Sequence, residues 1–422
     1  MGGRALELRV PLKLVLAGEY GVLEPRGLGV VAGLERLVRA MVLPRPEGGV
    51  RVEDLTGSAG RLVLSGPEAD GQLWLAGAPC GEGEPPHPVR QALALWHGGA
   101  GTAGQSGALG RWRVVGAALE LAYRYVAALG LRPQGLELQL DSSAGSQELA
   151  SGERTKLGLG TSAAVTVASA AAVLAAHGVP IDRPTFRRAV LRLSLLAHHA
   201  AQGGAGSGID VAAASYGGVL AFIRPSEEWL AHAVRHARTP LELVRAPWPE
   251  LEIEPLPVPG GMRLLAGFTG RASGTPELVR GYRRWRHEQP GAHARFRKLS
   301  HAAAAMLVAA LRRGVPAEVQ QAIRHAHRAL VFLTEQSGLG IVTPALERLV
   351  ALVEQHAGSG AAAKVSGAGG GDCGLAIVWD EQTEARVMAG WSAEGILPIP
   401  LEIARWGVRE RALDGPRARG SA

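Results

Sequence analysis

From Ser162 to Ala176 the chain runs for 15 residues without a formal charge, most of them Ala and Val, directly behind Gly158-Leu159-Gly160-Thr161. No other stretch constrains the fold as much. It is long enough for four helical turns and has no polar face to give to water, yet 15 residues fall short of the ~18 to 20 that a membrane span needs. A buried core helix is predicted. A chain of 422 residues, 47% of them hydrophobic, can build more than one such core, so two domains are expected.

Strand-like alternation predicts a strand from Leu6 that runs through Lys13 to Ala17 and into the turn Gly18-Glu19-Tyr20-Gly21. Further strand-like runs lie near Val30, at 37–43, 61–64, 72–75 and 136–140, with a helix over about 112–129 between the last two. A polar loop at 141–156 leads to the glycine pair and the uncharged helix, and a second helix over about 184–202 runs into the glycine-rich turn at 203–210. Seven prolines from 225 to 259 mark a connecting region. Beyond it the pattern predicts a strand at 262–268, helices at 276–287, 297–313, 317–335 and 344–356, a strand at 374–379, a helix at 382–393 and a strand at 397–403. The expected division is 1–224, a connector at 225–259, and 260–422, in an α+β architecture. Residues 97–110 are low in complexity and read as a surface loop.

Three glycine-rich stretches carry the chemistry. Lys156-Leu157-Gly158-Leu159-Gly160-Thr161-Ser162-Ala163 sets two glycines and two hydroxyls at the start of a small-residue helix, which suits a phosphate cradle; a plain N-cap at Thr161 or Ser162 fits the residues equally well. A dinucleotide fold is excluded because 151–156 is not a hydrophobic strand, and a Walker A loop because no Gly-Lys pair occurs in the chain. Five glycines in the eight residues 367–374 exceed what a turn requires and imply close approach to the backbone. In the third stretch, Gly206-Ser207-Gly208-Ile209-Asp210, the carboxylate has either a functional role or that of a helix cap. His198 and His199 are neighbours on a helix whose side chains diverge, so a helical or surface role rather than metal binding is expected for them, as for His325 and His327.

The net charge of +7 is the difference of 45 basic and 38 acidic residues, which are dispersed, and aromatics are 5%, so nucleic-acid binding is not expected. Only four basic residues are lysine: Lys13, Lys156, Lys298 and Lys364. A chain that otherwise uses Arg places three of its four lysines in or beside these motifs, where a slim ammonium fits and a guanidinium fork does not. Two distant cysteines, Cys80 and Cys373, indicate neither a disulfide framework nor a zinc site. With no secretory pattern at the start and no membrane span, a cytoplasmic location is expected.

Pro11–Leu23, Lys156–Ala164 and Lys364–Gly374 resemble, in order and spacing, the three signature motifs of the GHMP kinase superfamily of small-molecule kinases. Ala17-Gly18-Glu19-Tyr20, the stretch 206–212 with Tyr216-Gly217-Gly218, and Ser366–Cys373 look most like its phosphomevalonate kinase branch. Two departures stand out: Thr161-Ser162 replaces the usual Ser-Ser, and Pro11-Leu12-Lys13 replaces the frequent Pro-Gly-Lys. The resemblance implies an N-terminal domain like the second domain of ribosomal protein S5, a ferredoxin-like C-terminal domain, and a cleft site between them. It implies ATP over Lys156, Gly158, Leu159, Gly160, Thr161, Ser162 and Ala163, with Mg²⁺ near the two hydroxyls. Lys13 and Asp210 would flank the transfer. Lys13, Glu19, Tyr20, Ser273, Gly274, Thr275, Ser366, Gly367, Ala368, Gly369 and Asp372 would face a phosphorylated acid as acceptor. A monomer or homodimer is implied. The alternatives are mevalonate kinase or another kinase of the superfamily, and a non-catalytic nucleotide-binding homologue.

Overall fold

A computed structural model describes residues 5–56, 61–65, 74–75, 112–148, 152, 154–204, 206–270, 275–371 and 373–412. The loop expected at 97–110 and Cys80 lie outside these residues. Strand β1 (Leu6–Ala17) is buried along nearly its whole length, because it lies between strands and under helices. It pairs antiparallel with β2 (Leu28–Pro44), one strand where the sequence pattern shows two runs. The register shifts where Pro11 pairs with Leu37 but Leu12 pairs with Leu34, so Glu35 and Arg36 bulge out of β2. A proline, which cannot donate to a ladder, is tolerated at such an irregularity.

Strands β3 (Val50–Asp54), β4 (Arg61–Ser65) and β5 (Trp74–Leu75) precede helix α1 (Arg113–Ala128) and strand β6 (Leu136–Asp141). The polar segment read as a loop holds a short hairpin, β7 (Ser146–Glu148) with β8 (Arg154–Lys156). Then come α2 (Thr161–Ala176), α3 (Pro184–Ala201), α4 (Ile209–Tyr216) and β9 (Val219–Ile223). Helix α2 is the predicted core helix, and its Ala and Val residues let α1, α3, α4 and β1 approach it closely.

Residues 225–259 do more than connect. They form α5 (Glu227–His236), α6 (Pro240–Arg245) and β10 (Glu252–Leu256), and β10 extends the first sheet by pairing with β9. The prolines that signal a linker sit where structure tolerates them, Pro240 at the first position of α6 and Pro255 in an edge strand.

The second layer set begins with β11 (Arg263–Phe268) and four helices: α7 (Thr275–Glu288), α8 (Pro290–Arg313), α9 (Pro316–Ser337) and α10 (Pro344–Ala357). Helix α8 starts seven residues before the predicted 297, since Pro290 opens the helix as its first residue rather than breaking it. Strands β12 (Ala361–Ser366) and β13 (Cys373–Val378), helix α11 (Glu381–Ala393) and strand β14 (Leu397–Leu401) complete an antiparallel sheet ordered β12-β13-β11-β14. The chain then returns: Leu34 bridges Ile403, and β15 (Arg409–Ala412) pairs with β1 in the first sheet. Among the described residues no helix is long and apolar enough to cross a membrane.

Candidate functional site

The site is built where β1, the glycine loop and the start of α2 meet. Leu157 and Leu159 are buried and hold the loop from beneath, which leaves Gly158 and Gly160 on its open side in left-handed backbone conformations, with φ of 69° and 82°. The Lys13 backbone N–H donates to the Leu159 carbonyl at 2.9 Å, and its Nζ donates to the Gly158 carbonyl at 3.3 Å. Lys13 therefore lies across Gly160: a Cβ there would come within 2.7 Å of Lys13 Cγ. A positive side chain and the free N–H groups of a helix N-terminus converge on one spot, which favours an anion.

The two hydroxyls of the loop part company. Thr161 Oγ1 faces the backbone of Gly145, where a Cβ would collide with it, whereas Ser162 is exposed. The turn at 143–145 is held from below by Arg36, which projects from the β2 bulge and donates to the Ala144 carbonyl at 2.9 Å. Nothing in sequence spacing marks Arg36 as part of this floor. Lys156 is exposed at the end of the β7–β8 hairpin, and Ala163 is buried in α2.

Asp210 does not cap its helix. The cap of α4 is Gly208, at φ 84°, and Asp210 is the second helical residue, its Oδ1 accepting from the adjacent Val211 N–H at 3.2 Å. Three small contacts set its position. Gly18 packs on Leu28 and Gly29, where a Cβ would meet backbone at 2.3 and 2.7 Å, and Gly29 faces Ile209 Cδ1. The start of α4 thus sits beside the turn that carries Glu19 and Tyr20.

That turn is bound to the C-terminal half. Lys364, fully buried on β12, forms an ion pair with Glu19. Burial pushes the Lys364 ammonium below its usual pKa; Glu19 opposes this, and the charge of Lys13 adds to it. Tyr20 has a left-handed backbone (φ 58°), its hydroxyl donates to the Ala368 carbonyl at 2.6 Å, and its ring packs 5.2 Å from that of Tyr282. Burial, with Glu19 nearby, pushes its phenol well above the usual range, so Tyr20 stays a neutral donor. Ser366 Oγ donates to the Val15 carbonyl at 3.0 Å, Thr269 donates to the Gly371 carbonyl, and Cys373 Sγ lies 3.2 Å from the Leu157 carbonyl. The loop with Gly367, Ala368 and Gly369 is fixed by Ile341, whose carbonyl accepts from the Gly370 N–H at 2.9 Å and leaves no room for a Cβ on Gly369.

The glycine-rich stretch at 367–374 therefore closes over the turn that carries Tyr20 and the loop that begins at Leu157. Glu19, Tyr20 and Ser366, expected to face the acceptor, are buried, and their polar side-chain atoms meet Lys364, the Ala368 carbonyl and the Val15 carbonyl. Ser273, Gly274 and Asp372 lie outside the described residues, and Thr275 begins α7. Among the described residues no group of three or more His, Cys, Asp or Glu side chains could hold a metal.

Comparison with known proteins agrees with this arrangement. Residues 113–218 match the GHMP kinases N-terminal domain, and residues 307–397 the GHMP kinases C-terminal domain. Over 412 residues the chain is 32% identical to phosphomevalonate kinase of Streptomyces sp. (strain CL190), covering 96% of this chain and 99% of that protein. Two crystal structures share the fold. The Lin0012 protein from Listeria innocua has a TM-score of 0.76 at 23% identity, covering 98% of this chain and 100% of its own. Streptococcus pneumoniae phosphomevalonate kinase, solved with phosphomevalonate and AMPPNP, has a TM-score of 0.70 at 20% identity, covering 95% of this chain and 99% of its own. Matched in both halves and aligned from end to end with a relative, the chain belongs to the phosphomevalonate kinase family of the GHMP kinases.

Proposed function

We propose that this protein transfers the γ-phosphate of ATP to (R)-5-phosphomevalonate, giving 5-diphosphomevalonate and ADP in the mevalonate route to isoprenoids. The observation that carries this reading is the end-to-end likeness to the Streptomyces phosphomevalonate kinase. The division at residues 224 and 260 into an ATP-binding and a C-terminal kinase domain goes with it, as does a cytoplasmic location, where ATP is made.

On this reading the ATP phosphates lie over Gly158–Ser162, with Lys156 at the rim and Lys13 beside the transferred group. An acceptor phosphate oxygen attacks the γ-phosphorus while the bond to the bridging oxygen of ADP breaks. Little covalent chemistry is left to the protein, so its work is positioning and stabilising charge. Lys13 neutralises charge that grows in the transition state, and Asp210 orients the acceptor. Ser273, Gly274, Thr275 and Asp372 belong to the acceptor side, while Glu19, Tyr20 and Ser366 hold its walls. Mg²⁺ would be held by Ser162, whose hydroxyl is the open one, with Thr161 next to it. Among the described residues the site has no acidic cage, which suits an ion that would keep most of its shell as phosphate oxygen and water. Bound there, it would neutralise the β- and γ-phosphate oxygens.

The test is ADP release with phosphomevalonate, mevalonate, galactose and homoserine offered in turn. Turnover with phosphomevalonate well above the other three is expected. Turnover with mevalonate alone would move the chain to the sister activity, and no turnover with any would leave a nucleotide-binding homologue.

A further inference from the structure

The turn that delivers Asp210 has almost no stiffness of its own. It contains Gly203, Gly204, Gly206 and Gly208, and three of these adopt left-handed φ values of 60°, 79° and 84°. Its shape comes from α3. Leu195, His198, His199 and Gln202 are spaced i, i+3, i+4 and i+7, which puts them on one helix face, and that face meets the turn residue by residue. Gly204 lies over His199, with a Cβ position 3.5 Å from Nε2. Gly206 lies over Gln202 and His198, with a Cβ position 2.6 Å from Gln202 Oε1 and 3.8 Å from His198 Nδ1. Gly208 lies over Leu195 Cδ2, at 2.4 Å. A side chain at 206 would force Gln202 to shift, and one at 208 would force Leu195 to shift and hold an L-residue at φ 84°.

We propose that His198 and Gln202 are positioning residues for Asp210: they seat Gly204 and residues 206–208 and so fix where α4 presents the carboxylate. The proposal rests on the role given to Asp210 above. His198 is 2% exposed, which excludes a surface role, and it meets the turn from within α3. Its Nε2 lies 3.0 Å from the Gln202 amide nitrogen. A neutral ring that accepts there carries its proton on Nδ1, the nitrogen nearer Gly206. Burial keeps the ring neutral by holding its pKa below the usual value, opposed only in part by the charge of Asp210, which is close enough to act on it. His198 also shares a small cleft with Ser207, Gly208 and Arg224. A residue that acts this way changes the geometry of transfer and leaves the ATP loop, on another helix, alone.

The test is a double-mutant cycle on purified full-length enzyme, with His198→Leu, His198→Gln, Gln202→Leu and Asp210→Asn assayed singly and His198→Leu combined with Asp210→Asn. His198→Leu is expected to lower kcat by roughly 10² while KM for ATP stays near the wild-type value, since a misplacement of about 1 Å costs that much. Gln202→Leu should lower kcat in the same direction, and His198→Gln, which keeps a polar group in the seat, should recover part of the rate. In the Asp210→Asn background the His198→Leu change should cost less than about twofold, because residues acting through one group are not additive. The same factor in both backgrounds overturns the proposal, as does an unchanged kcat per folded enzyme with only the melting temperature lowered. Asp210→Asn at the wild-type rate overturns instead the role of Asp210 on which the proposal stands.

Discussion

Lys13 and Asp210 meet the site from different elements and are tested differently. Asp210→Asn is nearly isosteric, and because Asp210 is not the helix cap the change leaves α4 intact. Turnover should fall by roughly 10² to 10⁴ with ATP affinity largely kept, which steady-state kinetics together with nucleotide titration will show. A wild-type rate would reduce Asp210 to a structural residue. Lys13→Met should also depress kcat, since a charge beside the transferred group counts most in the transition state. Lys13→Arg should not restore it: the lysine stem crosses Gly160 within van der Waals contact, and the wider guanidinium cannot follow that path to the Gly158 carbonyl. Full activity in the Arg variant would show that the chain's choice of Lys at 13 carries no meaning. Lys364 likewise sets a slim, fully buried ammonium against Glu19.

At the level of elements, the loop between β8 and α2 works because Gly160 lets Lys13 pass. Gly160→Ala would force an L-residue to φ 82° and drive its Cβ against the lysine stem. The backbone strain, about 1 to 2 kcal/mol, should lower the urea midpoint, and a loop shifted by it should raise KM for ATP by roughly tenfold. A variant with wild-type KM would mean that the loop does not hold the nucleotide. The glycine loops, the uncharged helix α2 and most helices are legible in sequence because each is specified locally, by periodicity or by a glycine requirement. Elements fixed by distant partners are not. Strand β10 looks like a proline linker until β9 pairs with it, and β15 is written in a charged run, Arg409-Glu410-Arg411, whose only strand signal is its pairing with β1. The same holds within the site: Arg36 acts on a turn 108 residues away, and His198 and Gln202 act through a helical stripe that matches no motif, so none of them has a local signature.

In the whole molecule, two layer sets are joined through buried polar contacts, and these respond to pH. Burial and the charge of Lys364 hold the His327 imidazole far below its usual 6.5, at about 4, and burial likewise lowers His177, His198 and His199. As pH falls from 6.5 toward 4, the unfolded chain takes up protons that the folded chain refuses, so stability present at neutral pH is progressively lost. Urea midpoints across this range should decline, and less steeply for His327→Gln. Equal slopes would show that His327 is protonated in the fold. The larger claim is that the cleft accepts a substrate already carrying a phosphate. Charge-assisted hydrogen bonds to that phosphate are worth about 1.5 to 3 kcal/mol each, and without it the donors stay unpaired. Two such bonds favour the phosphorylated acceptor by roughly 10² or more. The deciding measurement is kcat/KM for phosphomevalonate and for mevalonate under one set of conditions, at low and at high ionic strength. A preference for phosphomevalonate of about 10² or more, weakened by salt, is predicted. Equal values, or a preference for mevalonate, would contradict the assignment.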